Sequence, residues 1–199
     1  MAGPIEFWFS IGSTYTYLSV MRVDVFAREH AVDVVWRPFN VRTITQLMNN
    51  RPFVGKPIKA AYMWRDIERR AAWRNLPVRV PAPYPLENME LANRVAIVAD
   101  QQGWLNAYVT EAYRRWMVDG QMAGSEPNLS GSIIACGRDP EVIVNKAKDA
   151  ATGASLDRST DEAMKGGIFG APTFVVDGEI FWGDDRLEDA VKWLSDKRP

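Results

Sequence analysis

The chain has 199 residues, 47% of them hydrophobic and 25% charged, with a formal net charge of -1. That balance suits one soluble domain, or one domain with a sizeable insertion, and it creates no global field to recruit nucleic acid or an anionic membrane. A single cysteine, Cys136, and a single histidine, His30, exclude an internal disulfide or a thiolate metal cluster and speak against a His-based zinc site or a Ser-His-Asp triad. No metal is expected, and the reducing cytoplasm is the expected compartment.

The opening run MAGPIEFWFSIGSTY lacks a basic n-region and a long apolar core, so it does not read as a signal peptide. No stretch is apolar for long enough to span a bilayer. Residues 5–9 read as a short strand running into a Ser-Ile-Gly-Ser turn. Ser13 then stands at the expected N-cap of a helix whose apolar face carries Tyr17, Leu18, Met21, Val25 and Phe26. Residues 32–36 read as a second strand, ended by Arg37-Pro38.

The middle of the chain changes character. Residues 43–75 are charged and helical, the proline-rich run 78–85 is an extended loop, and residues 90–102 and 105–118 read as two further helices. No run alternates, so 43–165 is expected to be an all-helical insertion. The end returns to sheet. Residues 173–176 form a strand, Asp177-Gly178 is a two-residue hairpin signal, residues 179–182 form the partner, and a last helix covers 184–194. The result is one α/β domain split into 1–42 and 166–199 around the insertion.

Three segments carry candidate chemistry. Ser13-Thr14-Tyr15-Thr16 places a hydroxyl at a strand-to-helix junction, either as a helix cap or beside amides that stabilise negative charge. Gly170-Ala171-Pro172-Thr173 precedes a strand. A cis bond there turns the Ala171 backbone outward to pair with an extended ligand, and a trans loop proline is the alternative. Trp182-Gly183-Asp184-Asp185-Arg186 sets two acids at a helix start, either complementing its dipole or taking the ammonium of an amino-acid terminus. His30 and Cys136 read as structural. Phe39, Tyr62 and Tyr84 sit where loops would expose them.

Taken in order, these segments resemble the 2-hydroxychromene-2-carboxylate isomerases and the kappa-class glutathione transferases, within the DsbA-like branch of the thioredoxin superfamily. The resemblance spans essentially the whole chain, including Lys59-Ala60-Ala61-Tyr62-Met63 and the Pro-Tyr-Pro-x-x-Asn run ending at Asn88. It implies a thioredoxin-like fold: a four-stranded mixed sheet with a large helical insertion. It also implies glutathione as cofactor and a small-molecule substrate, with a homodimer as an open partner state. Ser13 resembles the family's catalytic serine, where redox relatives carry their first cysteine, and Thr16 falls at the second, so disulfide chemistry is absent. Pro172 resembles the cis-proline, with Ala171 offering its backbone to the cysteinyl part of glutathione. Asp184 and Asp185 resemble the pair that holds the γ-glutamyl end, and Asn50 and Lys59 resemble residues near the glycyl end and the mouth of the site. The family's proline after the serine is replaced by Thr14.

A free thiol ionises near pH ~8.5, so a hydroxyl donor at Ser13 would favour the thiolate of glutathione. The isomerase resemblance implies reversible thiol addition to an unsaturated aromatic α-keto acid, with Lys59 and Asn50 near its carboxylate or ketone oxygen. That chemistry belongs to the degradation of aromatic compounds. A transferase that releases the adduct shares every residue. A non-catalytic thioredoxin-like module that binds peptides or proteins is the alternative from another class, and an amino-acid-terminus clamp at Asp184, Asp185 and Lys59 speaks against it.

Overall fold

A computed structural model describes residues 3–50 and 52–196. Four strands form one mixed sheet in the order β2-β1-β3-β4. β1 (Ile5–Phe9) lies at the centre, parallel to β2 (Val34–Pro38) and antiparallel to β3 (Thr173–Val176), while β4 (Glu179–Trp182) pairs antiparallel with β3. The second strand starts two residues later than its valine run suggests and includes Pro38, which sits opposite Phe9. Proline is tolerated there because β2 is an edge strand with one side free of ladder bonds.

The central strand is buried on both faces. Phe7 and Phe9 pack with Trp36 and Phe174 in the main core, at ring separations of 4.9–5.7 Å. Trp8 points to the other face, where Phe39, Ile44, Ala163 and Ile168 form a second cluster. Phe39 is wholly buried there, not exposed as its loop position suggests. Its apolar ring covers Trp8 edge-on at 6.1 Å, which is more favourable than leaving both in water.

Between β2 and β3 every element among the described residues is helical: α3 (Val41–Leu47), α4 (Pro57–Trp73), α5 (Met89–Gln101), α6 (Leu105–Met117), α7 (Asn128–Ala135), α8 (Pro140–Lys148) and α9 (Ala150–Lys165). Local signals account for several starts. Asn40 caps α3 by accepting the Arg42 N–H, and Asp139 caps α8 with Pro140 in its first turn. The buried residues Leu105, Tyr108, Val109, Ala112 and Trp116 recur at helical spacing on α6. Helix α5 is buried along most of its length and forms the middle of the main core.

The expected first helix is two: α1 (Thr16–Val20) and α2 (Val23–Glu29), broken at Arg22, whose φ of -133° leaves the helical region. Arg22 instead reaches across to Glu188 at 2.5 Å and to the Asp184 carbonyl at 2.8 Å. The last helix likewise begins as a single 3-10 turn, Asp184–Arg186, before α10 (Leu187–Asp196). His30 lies exposed at the end of α2, stacked on Phe26 at 4.0 Å. Cys136, half-buried after α7, packs against the main core.

Candidate functional site

β1 leads through Ser10, Ile11 and Gly12 to Ser13, and the turn is held from several sides. Gly12 has φ +130°, and a Cβ there would lie 2.4 Å from the Met89 sulfur, so backbone and space both demand glycine. Asn93 brackets the Ile11 peptide, accepting from its N–H and donating to its carbonyl, each at 2.9 Å. The buried Tyr113 hydroxyl reaches the Ser10 carbonyl at 2.8 Å and the Ser13 carbonyl at 3.0 Å. Burial pushes the Tyr113 phenol well above its ordinary range, so it remains a donor.

Ser13 is not the helix cap that its position suggests. Helix α1 starts at Thr16, the Thr14–Tyr15 turn intervenes, and Tyr15 holds the N-cap position without a capping side chain. The Ser13 hydroxyl donates instead to the Ala171 carbonyl at 2.7 Å. Thr14 is buried, and its hydroxyl meets the Met63 sulfur at 3.0 Å. The Thr16 hydroxyl is buried beside the Tyr113 phenol.

The Ala171–Pro172 peptide bond is cis. The Gly183 N–H donates to the Pro172 carbonyl at 3.0 Å, which ties this loop to the Gly183–Asp185 turn. Around the loop and Ser13 opens a cleft of about 810 Å³, walled further by α3, the start of α4 and the proline-rich segment. Ser13, Ala171, Asn50 and Lys59 line it; Pro172, Asp184 and Asp185 stand outside the lining. The exposed Tyr62 and the half-buried Tyr84 contribute rings to its wall, and the Lys59 ammonium lies 5.5 Å from the centre of the Phe53 ring.

The two acids occupy different environments. Asp184 is buried, its carboxylate held by Arg74 at 2.5 Å and Arg70 at 2.9 Å, both carried by α4 and its C-terminal end. Burial raises the Asp184 carboxyl above the usual carboxylate range, and the two guanidiniums oppose it. The Asp185 side chain is 47% exposed, with Arg186 at 3.5 Å and Arg70 at 3.7 Å. Arg70 also links back to the cleft. It lies 5.9 Å from the Tyr15 ring and 3.8 Å from Asp66, which accepts the Tyr15 hydroxyl at 3.1 Å.

Several of these residues escape a reading of the sequence. Arg70 and Arg74 follow Asp66 at four-residue intervals, so a charged stripe on α4 is visible in the chain, although its partner 110 residues away is not. Tyr113 reads as an ordinary core tyrosine. Arg42, in the first turn of α3, carries no motif, yet it lines the cleft. Among the described residues, no group of three or more His, Cys, Asp or Glu side chains is placed to hold a metal ion.

Residues 4–195 match the model of the DSBA-like thioredoxin domain. The chain belongs to that family. Over 198 residues it is 28% identical to a 2-hydroxychromene-2-carboxylate isomerase of Sphingobium xenophagum, covering 98% of this chain and all of that one. Over 206 residues it is 24% identical to glutathione S-transferase kappa 1 of Rattus norvegicus, covering 97% of this chain and 91% of that one. The solved structure of a 2-hydroxychromene-2-carboxylate isomerase superposes with a TM-score of 0.87 at 20% identity, covering 98% of this chain and 95% of that one. The thioredoxin-like sheet with its helical block is therefore a shared architecture, and these relatives are enzymes of two kinds.

Proposed function

We propose that this protein is a cytoplasmic, glutathione-dependent isomerase of unsaturated aromatic α-keto acids of the 2-hydroxychromene-2-carboxylate type. The observation that carries this reading is the Ser13 hydroxyl, set against the loop before Pro172 in the wall of the cleft. A thioredoxin-like site with serine in place of the first cysteine cannot cycle a disulfide, but it can hydrogen-bond a ligand's sulfur.

The residues present suit the tripeptide. Ala171 offers its backbone to the cysteinyl part, and the exposed Asp185 carboxylate receives the γ-glutamyl ammonium. Asp184, its charge engaged by Arg70 and Arg74, fixes the turn from which Asp185 projects. Lys59 and Asn50, both exposed at the cleft, face the glycyl carboxylate. When bound, glutathione supplies a thiol that adds reversibly to a conjugated double bond, allowing rotation before the bond is restored. Ser13 favours the ionised sulfur by turning its O–H from the Ala171 carbonyl towards it. The apolar wall of the cleft excludes water and strengthens that hydrogen bond.

Calorimetry with reduced glutathione tests the reading: saturable heat is expected, and none at millimolar ligand overturns it. The resemblance to kappa-class transferases favours a second outcome, in which the adduct leaves. The two differ in whether glutathione is consumed per turnover.

A further inference from the structure

We propose that Arg42 selects for a carboxylate on the second, aromatic substrate, at a place in the cleft separate from the one that receives glutathione. The proposal rests on the glutathione reading of Ser13 and adds to it a residue that determines substrate class.

Arg42 is anchored from both sides. Asn40 accepts its backbone N–H at 3.1 Å, fixing the first turn of α3, and one of its terminal nitrogens donates to the Leu86 carbonyl at 2.6 Å. The side chain is therefore held between α3 and the proline-rich segment, half-buried in the cleft wall, close enough to Tyr84 for its charge to act on the phenol. The other half-buried arginines among the described residues have carboxylate partners, among them Arg22 with Glu188, Arg70 and Arg74 with Asp184, and Arg114 and Arg115 with Glu111, whereas the arginines without one are exposed. Arg42 has none among the described residues. Glu87, the acid in the cleft lining, is exposed and forms no ion pair with it.

A half-buried guanidinium with five donors and one neutral acceptor is poorly compensated for the water it has lost. An incoming carboxylate restores the balance, because its two oxygens match the planar fork of arginine. The surroundings specify what that carboxylate is attached to. Tyr84 meets Phe53 and Trp64 edge-on at 6.4 and 6.1 Å, an aromatic wall suited to a flat conjugated ring. Among the described residues the other cleft-lining cation is Lys59, which is exposed and is assigned to glutathione, so the two ligands have separate cations.

Calorimetric titration with cinnamate and its uncharged methyl ester tests this directly. The protein is expected to bind the acid at least about tenfold more tightly than the ester, the contribution of one charge-assisted pair. In Arg42→Gln the acid and the ester should bind within about twofold of each other, because neither now meets a cation at this position. Glutathione affinity in that variant should stay within about twofold of the parent's, since its glycyl carboxylate is assigned to Lys59 and Asn50 and its ammonium to Asp185. Arg42→Lys, which keeps the charge, should retain a measurable preference for the acid. Equal binding of acid and ester by the unaltered protein, or a preference that persists in Arg42→Gln, overturns the proposal. Absence of glutathione binding would instead remove the thiol reading, and the acid-to-ester ratio would still decide the role of Arg42.

Discussion

The Ser13 hydroxyl donates to the carbonyl of Ala171, 158 residues away in the chain and 2.7 Å away in space. This bond joins the turn after the central strand to the loop before β3, and a bound sulfur must compete for the same proton. Because Ser13 does not cap α1, Ser13→Ala should leave helix content unchanged. Losing one partly buried hydrogen bond should cost about 0.5–1.5 kcal/mol of stability. Urea unfolding followed by circular dichroism measures both.

The neighbouring acids should separate cleanly by substitution. Asp184→Asn leaves Arg70 and Arg74 without their shared counter-charge. Both guanidiniums keep some contact with water, so the loss should be about 2–3 kcal/mol, below that of a fully buried pair. Asp185→Asn should leave the urea midpoint almost unmoved and weaken glutathione binding by roughly 1.5–3 kcal/mol, as for a hydrogen bond to a charged group. Denaturation and calorimetry on both variants should therefore give opposite patterns.

Gly12 carries two constraints at once, positive φ and the Met89 sulfur. Gly12→Ala should lower stability by about 2–4 kcal/mol, the sum of backbone strain and overpacking. Thermal unfolding would show it. Measured in a Met89→Ala background, Gly12→Ala should cost less, because only the backbone part of its penalty remains.

Acid should weaken the α6 ion-pair cluster. The Arg114 hydrogen bond holds the Glu111 carboxyl below its ordinary 4.5, with burial opposing and Arg115 assisting. A carboxyl depressed in the folded state contributes its full stability above the unfolded pKa and loses it as pH falls through the folded one. The stability difference between the parent and Glu111→Gln should therefore be constant near neutrality and shrink below pH 4.5. Urea midpoints taken across that range test it.

The hairpin and the helical middle are legible in the chain because their signals are local. Asp177-Gly178 between two apolar runs names a tight turn, and the spacing of Leu105, Tyr108, Val109 and Ala112 names a buried helix face. The cis bond at Pro172 is legible only through the family resemblance, since Gly-Ala-Pro-Thr by itself leaves a trans loop proline open. Failures come where tertiary contacts override local preference. Ser13 resembles a cap, but its hydroxyl is drawn to Ala171. The first helix breaks because Arg22 reaches α10. The Asp184-Asp185 pair looks uniform in the sequence, and only the approach of α4 makes one a buried anchor and leaves the other exposed. Arg42 has no signal, since its meaning lies in Leu86, Tyr84 and the cleft they share.

The central claim, that Ser13 holds the sulfur of glutathione as a thiolate, is tested most directly by titrating the complex and following thiolate absorbance in the near ultraviolet. Bound to the unaltered protein, the thiol should ionise at least about one pH unit below its free value near 8.5. In Ser13→Ala most of that depression should disappear, and turnover near neutral pH should fall at least about tenfold. A bound thiol that titrates at its free value in the unaltered protein, or identically in Ser13→Ala, would contradict the account.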